Sequence, residues 1–261
     1  MKSLYLKVEK WLQESGFPLE MEVAQALTHV GFEVSQSAYY LDPETSEARE
    51  IDVIATMESA QTSIPVRMTA VVECKSSRDV PWIVFRRIGP PFMPESVVGS
   101  LATTRAGIGF LARLKRNRSA TRLPLFSARE YVGYGITQAL KDKPNNAYGA
   151  VMNVAKAADM HLRSSDIPLV AQEVVHIVLP IVVTEAPLFE THLNIKGEMQ
   201  LEHVQRSTLL WRNPSVGRSL SVIEIVDRSQ FASFVTDLST AARLITGSIG
   251  EEIAPLLQVP T

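Results

Sequence analysis

Two carboxylates and a lysine stand inside apolar stretches of this sequence, where charged side chains are uncommon. Asp52 lies between Ile51 and the pair Val53-Ile54, and Glu73 and Lys75 end the apolar run 71–75. Alternate side chains of a strand share a face, so Glu73 and Lys75 are predicted to point to one side and Cys74 to the other. Burying charges is costly unless they meet each other or a metal ion. If the two runs are neighbouring strands, Asp52, Glu73 and Lys75 form one cluster that could bind a divalent cation.

Two interpretations of this cluster follow from spacing alone. In the first, the two carboxylates are ligands of a hard metal ion and Lys75 is a catalytic cation. In the second, Asp52 or Glu73 forms a partly buried structural ion pair with Lys75. Spacing alone supports the two interpretations about equally. Cys74 is expected to be a small buried hydrophobic residue rather than a nucleophile.

The motif resembles the signature of the PD-(D/E)XK nuclease superfamily, in which an Asp is followed by Glu-x-Lys on the next strand. Here the signature stands as Ile51-Asp52-Val53 and Glu73-Cys74-Lys75, with Ile in place of the usual Pro before the Asp. Glu20, followed by an apolar helix that ends at Gly31 and Phe32, is similar to the helix of Mrr-like restriction enzymes and archaeal Holliday-junction resolvases. The resemblance covers residues 18–76.

The resemblance implies a nuclease that uses Mg²⁺ or Mn²⁺ as its cofactor. Phosphodiester hydrolysis requires an activated water molecule and neutralisation of charge on the phosphoryl group, and a divalent ion supplies both. Carboxylate oxygens suit Mg²⁺ or Mn²⁺. The implied metal ligands are Asp52, Glu73 and the backbone carbonyl of Cys74. Lys75 would orient the attacking water or stabilise the developing charge, and Glu20 would bind a second metal ion or hold a metal-bound water.

Hydrophobic periodicity predicts the elements around the cluster. They are helices over 3–14 and 18–30, strands over 32–41, 49–57 and 66–76, and a turn over 42–46. Pro18 suits the first turn of the second helix, and Gly31 its end. This order leads us to expect an α/β fold with a restriction-endonuclease-like αβββαβ core, in which a mixed central sheet is flanked by helices.

The rest of the chain is expected to complete a single domain over 1–261, with a helical insertion at about 77–145. Within the insertion, 81–85 is interpreted as a short helix or core plug, and helices are predicted at 95–115 and 127–141, the latter from the capping-box pattern Ser127-x-x-Glu130. Further elements are predicted as a helix over 146–162, strands over 174–183, 187–195, 200–211 and 220–226, a turn at 194–197 and a terminal helix over 229–246.

Composition limits the environment and the partners. The formal net charge is −2, so a globally basic nucleic-acid coat is excluded and any DNA contact must come from local clusters. A single cysteine excludes an internal disulfide and suits a reducing cytosol. No run of eighteen apolar residues and no signal-peptide core occur, so we expect a cytoplasmic protein without a membrane span. The expected partner is DNA of unspecified form, and a homodimer is a candidate assembly.

Basic residues are concentrated in two places that could contact DNA phosphates. The first cluster comprises Arg113, Lys115, Arg116, Arg118 and Arg122, and the second is the pair Arg86 and Arg87. A solvated helix end explains such a cluster equally well. Two rivals to a nuclease also stay open: a catalytically silent module of the same fold that binds nucleic acid or a protein, and an unrelated α/β protein with a structural ion pair.

Overall fold

The computed structural model describes residues 2–59, 64–87, 91–127, 129, 131–140, 144–165, 174–211 and 221–257. Its α-helices are α1 (Lys2–Glu14), α2 (Phe17–His29), α3 (Pro94–Val98), α4 (Arg105–Arg116), α5 (Asn146–Ser165), α6 (Phe231–Thr246) and α7 (Ser248–Ile253). Short 3₁₀ turns lie between α4 and the next strand, before α6 and after α7. No helix of these ranges is long and apolar enough to cross a membrane.

The described strands form one mixed sheet. They are β1 (Glu33–Leu41), β2 (Ala48–Ser59), β3 (Val66–Lys75), β4 (Trp82–Arg86), β5 (Ala102–Thr103), β6 (Gly133–Gln138), β7 (Val175–Thr184), β8 (Leu188–Leu193), β9 (Met199–His203), β10 (Arg206–Trp211) and β11 (Ser221–Asp227). Their order across the sheet is β1-β2-β3-β7-β11-β10-β6-β4-β8-β9, with β5 paired to the start of β7. The expected mixed α/β sheet flanked by helices is therefore confirmed.

The centre of the sheet is built from strands that are far apart in sequence. β1, β2 and β3 pair in succession as antiparallel neighbours. β7 then pairs parallel to β3 over its whole length, from Val66 opposite Val175 to Lys75 opposite Thr184. A parallel neighbour requires a crossover connection, and here α5 is the helix immediately before β7. The candidate site lies where β3 and β7 both end.

Helices cover the two faces of this central part. One face of β2, β3 and β7 packs against α2, α4 and α6, with Val53, Val72 and Leu27 among the buried contacts. The opposite face packs against α5, whose alanines and valines contact Val71 and Val182. A strand covered on both faces is apolar at consecutive positions, and every residue of β7 is buried.

The turn between β1 and β2 is tied to α5 by a buried lysine. Asp42 accepts hydrogen bonds from the backbone N–H groups of Glu44 (2.9 Å) and Thr45 (3.4 Å). Lys156 Nζ donates to both Asp42 carboxylate oxygens at 3.1 and 3.0 Å, and to Glu44 Oε2 at 2.6 Å. Burial alone would raise the pKa of Asp42, but these backbone N–H groups and Lys156 together lower it.

Most predicted elements agree with the structure to within a few residues at each end. This holds for α1, α2, β1, β2, β3, α5, β7, β8, β11 and α6, and for the turn at 194–197, which a backbone hydrogen bond between Asn194 and Glu198 closes. The predicted helix over 95–115 is divided into α3 and α4 by the short strand β5. The predicted strand over 200–211 is two strands, β9 and β10.

Two predictions in the segment 77–145 are wrong. Residues 81–85 lie largely in strand β4, whose aromatic and β-branched side chains alternate between buried and half-buried positions, a pattern typical of strands. Much of the expected helix over 127–141 is strand β6; Ser127 precedes it, and Glu130 of the capping-box pattern lies outside the described residues. The first residue of β6, Gly133, lies too close to its neighbours for a side chain, because a Cβ there would lie 2.4 Å from Val84 and 2.7 Å from Leu209. The segment therefore contributes strands to the sheet as well as helices.

Candidate functional site

The site begins where strands β2 and β3 separate. Their ladder runs from Ser59 opposite Val66 to Val53 opposite Val72 and goes no further. Just beyond the last pair, a side chain accepts a hydrogen bond from the β3 backbone: Cys74 N–H donates to Asp52 Oδ2 at 2.6 Å. Asp52 is therefore held beside the residue that separates Glu73 from Lys75.

Glu73 and Lys75 share one face of β3, as the alternation of a strand predicts. Lys75 Nζ donates to Glu73 Oε1 at 2.5 Å. The same oxygen accepts a longer hydrogen bond, 3.4 Å, from the Asn153 side chain of α5. Glu73 is buried, and its second oxygen, Oε2, has no hydrogen-bond partner among the residues that the structure describes. A buried carboxylate oxygen without a donor is costly, so this atom has unused capacity to bind a ligand.

Glu20 reaches the cluster from the first turn of α2. Its Oε1 and the Ser76 hydroxyl lie 3.5 and 3.6 Å from the point where a Cβ at Gly16 would stand, so both face the same spot. A cleft of about 640 Å³ opens here. It is lined by the end of α1, the start of α2, the residues that follow β3 and the residues that follow β7, and includes Glu20, Lys75, Ser76, Arg78, Asn146 and Glu185.

All three carboxyls at this site have a pKa above the ordinary value, and burial is the largest cause for each. Burial raises the pKa of Asp52 and Glu73, and each is opposed in part by the nearby Lys75. Burial also raises the pKa of Glu20, with further increases from the charges of Asp52, Glu50 and Glu73. Burial alone would lower the pKa of Lys75, but Glu73 and Asp52 raise it above its usual range. The lysine is therefore a stable cation among more carboxylates than it can neutralise.

Cys74 is buried, as expected, and packs in the core on the side opposite Glu73. Burial raises the pKa of its thiol well above the usual range, with added contributions from the carboxylates of the site. A thiol with a raised pKa is a poor nucleophile at neutral pH.

The side chains that could hold a metal ion are carboxylates. Within the described ranges, no group of three or more His, Cys, Asp or Glu side chains already has metal-binding geometry. Mg²⁺ commonly uses one or two protein carboxylates and keeps several waters. Asp52 and Glu73, with the unpartnered Glu73 Oε2, fit that smaller requirement.

Two arginines at the rim of the cleft were not predicted from the sequence. Arg78 donates to both Glu185 oxygens through Nε and Nη2, each at 2.9 Å. Arg228 also donates to Glu185, and its Nη2 lies 2.5 Å from Glu22 Oε1 on α2. Glu185 N–H in turn donates to the Lys75 carbonyl at 3.0 Å. Arg78, three residues after Lys75, could have been suspected; Arg228 carried no local signal.

The predicted basic cluster at 113–122 lies away from this cleft. Arg113 Nη2 donates to the Leu256 carbonyl at 2.6 Å, and Arg122 pairs with Glu252 of α7 at 3.7 Å. α6 starts three residues after Arg228, beside the cleft, and its 16 residues extend about 24 Å before α7 begins. Lys115, Arg116 and Arg118 are exposed on this remote side, as a solvated helix end would be.

The second predicted basic pair is divided between the interior and the surface. Arg86 is only 6% exposed, and it pairs with Glu190 and Glu202, each at 3.1 Å. It also donates to His192 Nδ1 at 2.9 Å and stacks on the Tyr131 ring. The structure therefore commits Arg86 to protein partners rather than to a phosphate, whereas Arg87 is exposed.

A second buried charge cluster lies elsewhere in the sheet, around Glu224 of β11, which is fully buried. Its Oε1 accepts from Arg129 Nη2 at 3.1 Å and its Oε2 from Arg206 Nε at 2.9 Å. The Thr208 hydroxyl lies 3.2 and 3.1 Å from the two oxygens. We call these four residues the Glu224 cluster; both carboxylate oxygens in it are hydrogen-bonded.

Comparison of the chain with protein-family models, with curated proteins and with solved structures found no match.

Proposed function

We propose that this protein is a metal-dependent nuclease of the PD-(D/E)XK type that hydrolyses phosphodiester bonds in DNA. The observation that carries the proposal is the grouping of Asp52, Glu73 and Lys75 at the point where β2 and β3 separate. One buried Glu73 oxygen there receives no hydrogen bond from the described part of the chain. A structural ion pair does not require more carboxylates than cations, whereas a site that binds a divalent cation does.

The order of elements supports the same proposal. α2, β1, β2 and β3 are followed by α5 and then β7, which lies parallel to β3. This is the αβββαβ order that the resemblance implies, with the strands β4 to β6 inserted between β3 and α5. Glu20 on the first helix completes the set of acidic residues.

In this proposal each side chain of the site has a distinct task. Asp52 and Glu73 hold the metal ion, with the Cys74 carbonyl as a third ligand and Glu20 as a ligand of a second ion or of its water. A bound Mg²⁺ or Mn²⁺ would neutralise phosphoryl charge and make an attacking water more acidic. Lys75 stabilises charge that develops in the transition state. Its ammonium group is positioned by Glu73, which also accepts a hydrogen bond from Asn153.

Arg78 and Arg228 are the cations best placed to contact the phosphate backbone next to the cleft. Glu185 holds both guanidinium groups, yet the Arg78 side chain is still 62% exposed. The cluster at 113–122 stays a prediction for a more distant contact. A DNA path along Arg78 and Arg228 would give the scissile phosphate direct access to Lys75.

The test is cleavage of plasmid and single-stranded DNA with Mg²⁺, with Mn²⁺ and with EDTA. We expect cleavage with either ion and none with EDTA. Mn²⁺ should also raise the melting temperature of the wild type by mass action, and should raise that of Asp52→Asn less. Equal melting shifts for both proteins across millimolar Mn²⁺, together with an absence of cleavage, would leave the silent module as the better description.

The DNA path is tested by the salt dependence of duplex binding. Arg78→Ala should flatten the log–log salt slope by about 0.9 if one phosphate contact is lost. Arg118→Ala is the matched control on the remote side, and we expect it to leave the slope unchanged. The reverse result would place the DNA along 113–122.

A further inference from the structure

The side chains of β1 and β2 change the face to which they point part of the way along the ladder. Val34 and Ala55 are paired, and both pack in the core beside α2 and α6. Four residues further along each strand, Ala38 and Ile51 are paired, and both pack against α5 on the opposite face of the sheet. Residues four apart in a regular strand share a face. Each strand therefore has a break in its alternation between these two pairs.

The break lies at Ser37, which is opposite Asp52. Every other residue of β1 has a partner on β2, and the register is the same before and after this position. Ser37 has a φ of 52°, in the left-handed region that residues with a side chain rarely adopt. A left-handed residue interrupts the pleat, so the residues on its two sides no longer alternate in phase. The backbone of Ser37 thus accounts for the change of face.

The same position separates Asp52 from its other neighbouring strand. Continued in register, the β2–β3 ladder would pair Asp52 with Glu73, but the ladder ends one residue earlier, at Val53 and Val72. Cys74 N–H donates instead to the Asp52 side chain, at 2.6 Å from Oδ2. Asp52 is therefore outside the regular pairing on both sides, and its carboxylate is the group that reaches β3.

We propose that Ser37 is a positioning residue for Asp52, and that its left-handed backbone holds the Asp52 carboxylate beside Cys74 and Glu73. This inference rests on the proposed function and extends it, because it assigns part of the metal affinity to β1, a strand without a proposed metal ligand. Ser37 is exposed on an edge strand, so packing of its side chain does not impose the conformation. Strained residues of this kind are concentrated at active sites, where the surrounding structure holds them.

Ser46 provides a matched control in the same hairpin. It is also an exposed serine with a positive φ, 57°, but it lies in the turn between β1 and β2. Asp52 is four residues beyond the start of β2 at Ala48, which places it about 13 Å along the strand from the turn. If Ser37 only shapes the hairpin, substitutions at the two serines should act alike. If Ser37 positions Asp52, substitutions there should change the site and those at Ser46 should not.

A series of variants at position 37 tests this through Mn²⁺ affinity, measured by isothermal titration calorimetry. Glycine and asparagine tolerate a positive φ, whereas a β-branched valine does not. Ser37→Gly and Ser37→Asn should therefore bind Mn²⁺ as the wild type does, and Ser37→Val should raise the Kd about tenfold or more. Ser46→Val should leave the Kd unchanged. Because glycine is smaller and asparagine larger than serine, side-chain size cannot produce this order.

Amide hydrogen exchange at Cys74 is the second readout, and it needs no metal ion. Loss of the hydrogen bond to Asp52 should speed exchange of this amide about tenfold in Ser37→Val, with no change in Ser37→Gly. The amides of β7 should keep their protection in both variants, which checks that the sheet is intact. If Ser37→Val does not fold, Ser37→Ala replaces it. A smaller change in the same direction is then expected, because alanine lacks the branched Cβ of valine.

Wild-type Mn²⁺ affinity together with wild-type Cys74 exchange in Ser37→Val would overturn the proposal. So would equal weakening of Mn²⁺ binding by Ser37→Gly and Ser37→Val, because glycine keeps the left-handed backbone. A wild type that binds no Mn²⁺ would refute the metal site of the proposed function, and exchange at Cys74 would then decide alone whether Ser37 positions Asp52.

Discussion

The candidate site and the Glu224 cluster are both groups of opposite charges buried in the same sheet, but they balance their charges differently. In the Glu224 cluster, two arginines and a threonine hydroxyl surround one carboxylate, and both of its oxygens are bonded. At the site, Lys75 donates to Glu73, Asp52 and Glu20 lie nearby, and none of the described residues donates to Glu73 Oε2. We assign the Glu224 cluster a structural role because its carboxylate is fully bonded, although its Arg129 Nε has no hydrogen-bond partner among the described residues. At the site it is instead a carboxylate oxygen that is left available to a ligand.

The largest expected effect is a loss of DNA cleavage when the candidate site is altered at Lys75. Lys75→Ala should lower cleavage by about a hundredfold to a thousandfold, because the lost cation acts on the transition state. Metal-dependent melting shifts should persist, and the fold should survive because Lys75 is 31% exposed. Lys75→Arg should restore little, since a planar guanidinium does not replace a compact ammonium. Steady-state cleavage rates measure this, with Lys115→Ala as the control on the remote surface. Near wild-type cleavage by Lys75→Ala would remove this lysine from the mechanism.

The next largest effect is a loss in the free energy of unfolding when the Glu224 cluster is altered. Glu224→Gln should lower the free energy of unfolding by about 3 kcal/mol, because two arginines lose their buried counter-charge. Urea denaturation measures it. Glu58→Gln removes one partner of the more exposed Glu58–Arg67 pair and should cost less than about 1 kcal/mol. If both variants unfold alike, the Glu224 cluster does not have the structural role assigned to it.

The smallest expected effect is on the pH dependence of stability. It is tested at Asp52 and Asp42, whose folded pKa values are shifted in opposite directions. Because the folded pKa of Asp52 is raised, its charge disfavours the metal-free fold once the pH rises above that pKa. Asp52→Asn should therefore unfold like the wild type below pH 3.8, the ordinary Asp value, and gain on the order of 1 kcal/mol or less near neutrality.

Asp42→Asn is the matched opposite. The folded pKa of Asp42 is lowered, so its stabilising charge is present above the ordinary value and is lost as the pH falls through the folded pKa. This variant should be less stable than the wild type near neutrality and approach it in acid. Unfolding in denaturant between about pH 2 and 7.5, without metal ions, decides the sign for each. A loss of stability for Asp52→Asn at neutral pH would contradict the carboxylate excess.

The sequence predicted the part of the fold that depends on local pattern. Charged residues inside apolar strands located Asp52, Glu73 and Lys75, and alternation placed Cys74 on the other face. Arg78 follows Lys75 closely enough to have been suspected, but Arg228 could not be found from local pattern, because it meets Glu185 only after distant segments have packed. Strand β6 was missed for a related reason: Gly133 is needed by neighbours from two other strands, Val84 and Leu209, which the local sequence does not contain.

The pairing of β3 with β7 has a consequence for synthesis of the chain. Lys75 ends β3 and Val175 begins β7, so about 100 residues must be added before β3 receives its parallel neighbour. At 5–20 residues per second, this takes roughly 5 to 20 s. During that interval the β3 edge exposes an apolar strand with unpaired backbone groups, the kind of edge that promotes aggregation. The nascent chain is therefore expected to be most dependent on chaperones while α5 and β7 are still being made. The cleft, whose lining includes Asn146 and Glu185, is complete only after that stage.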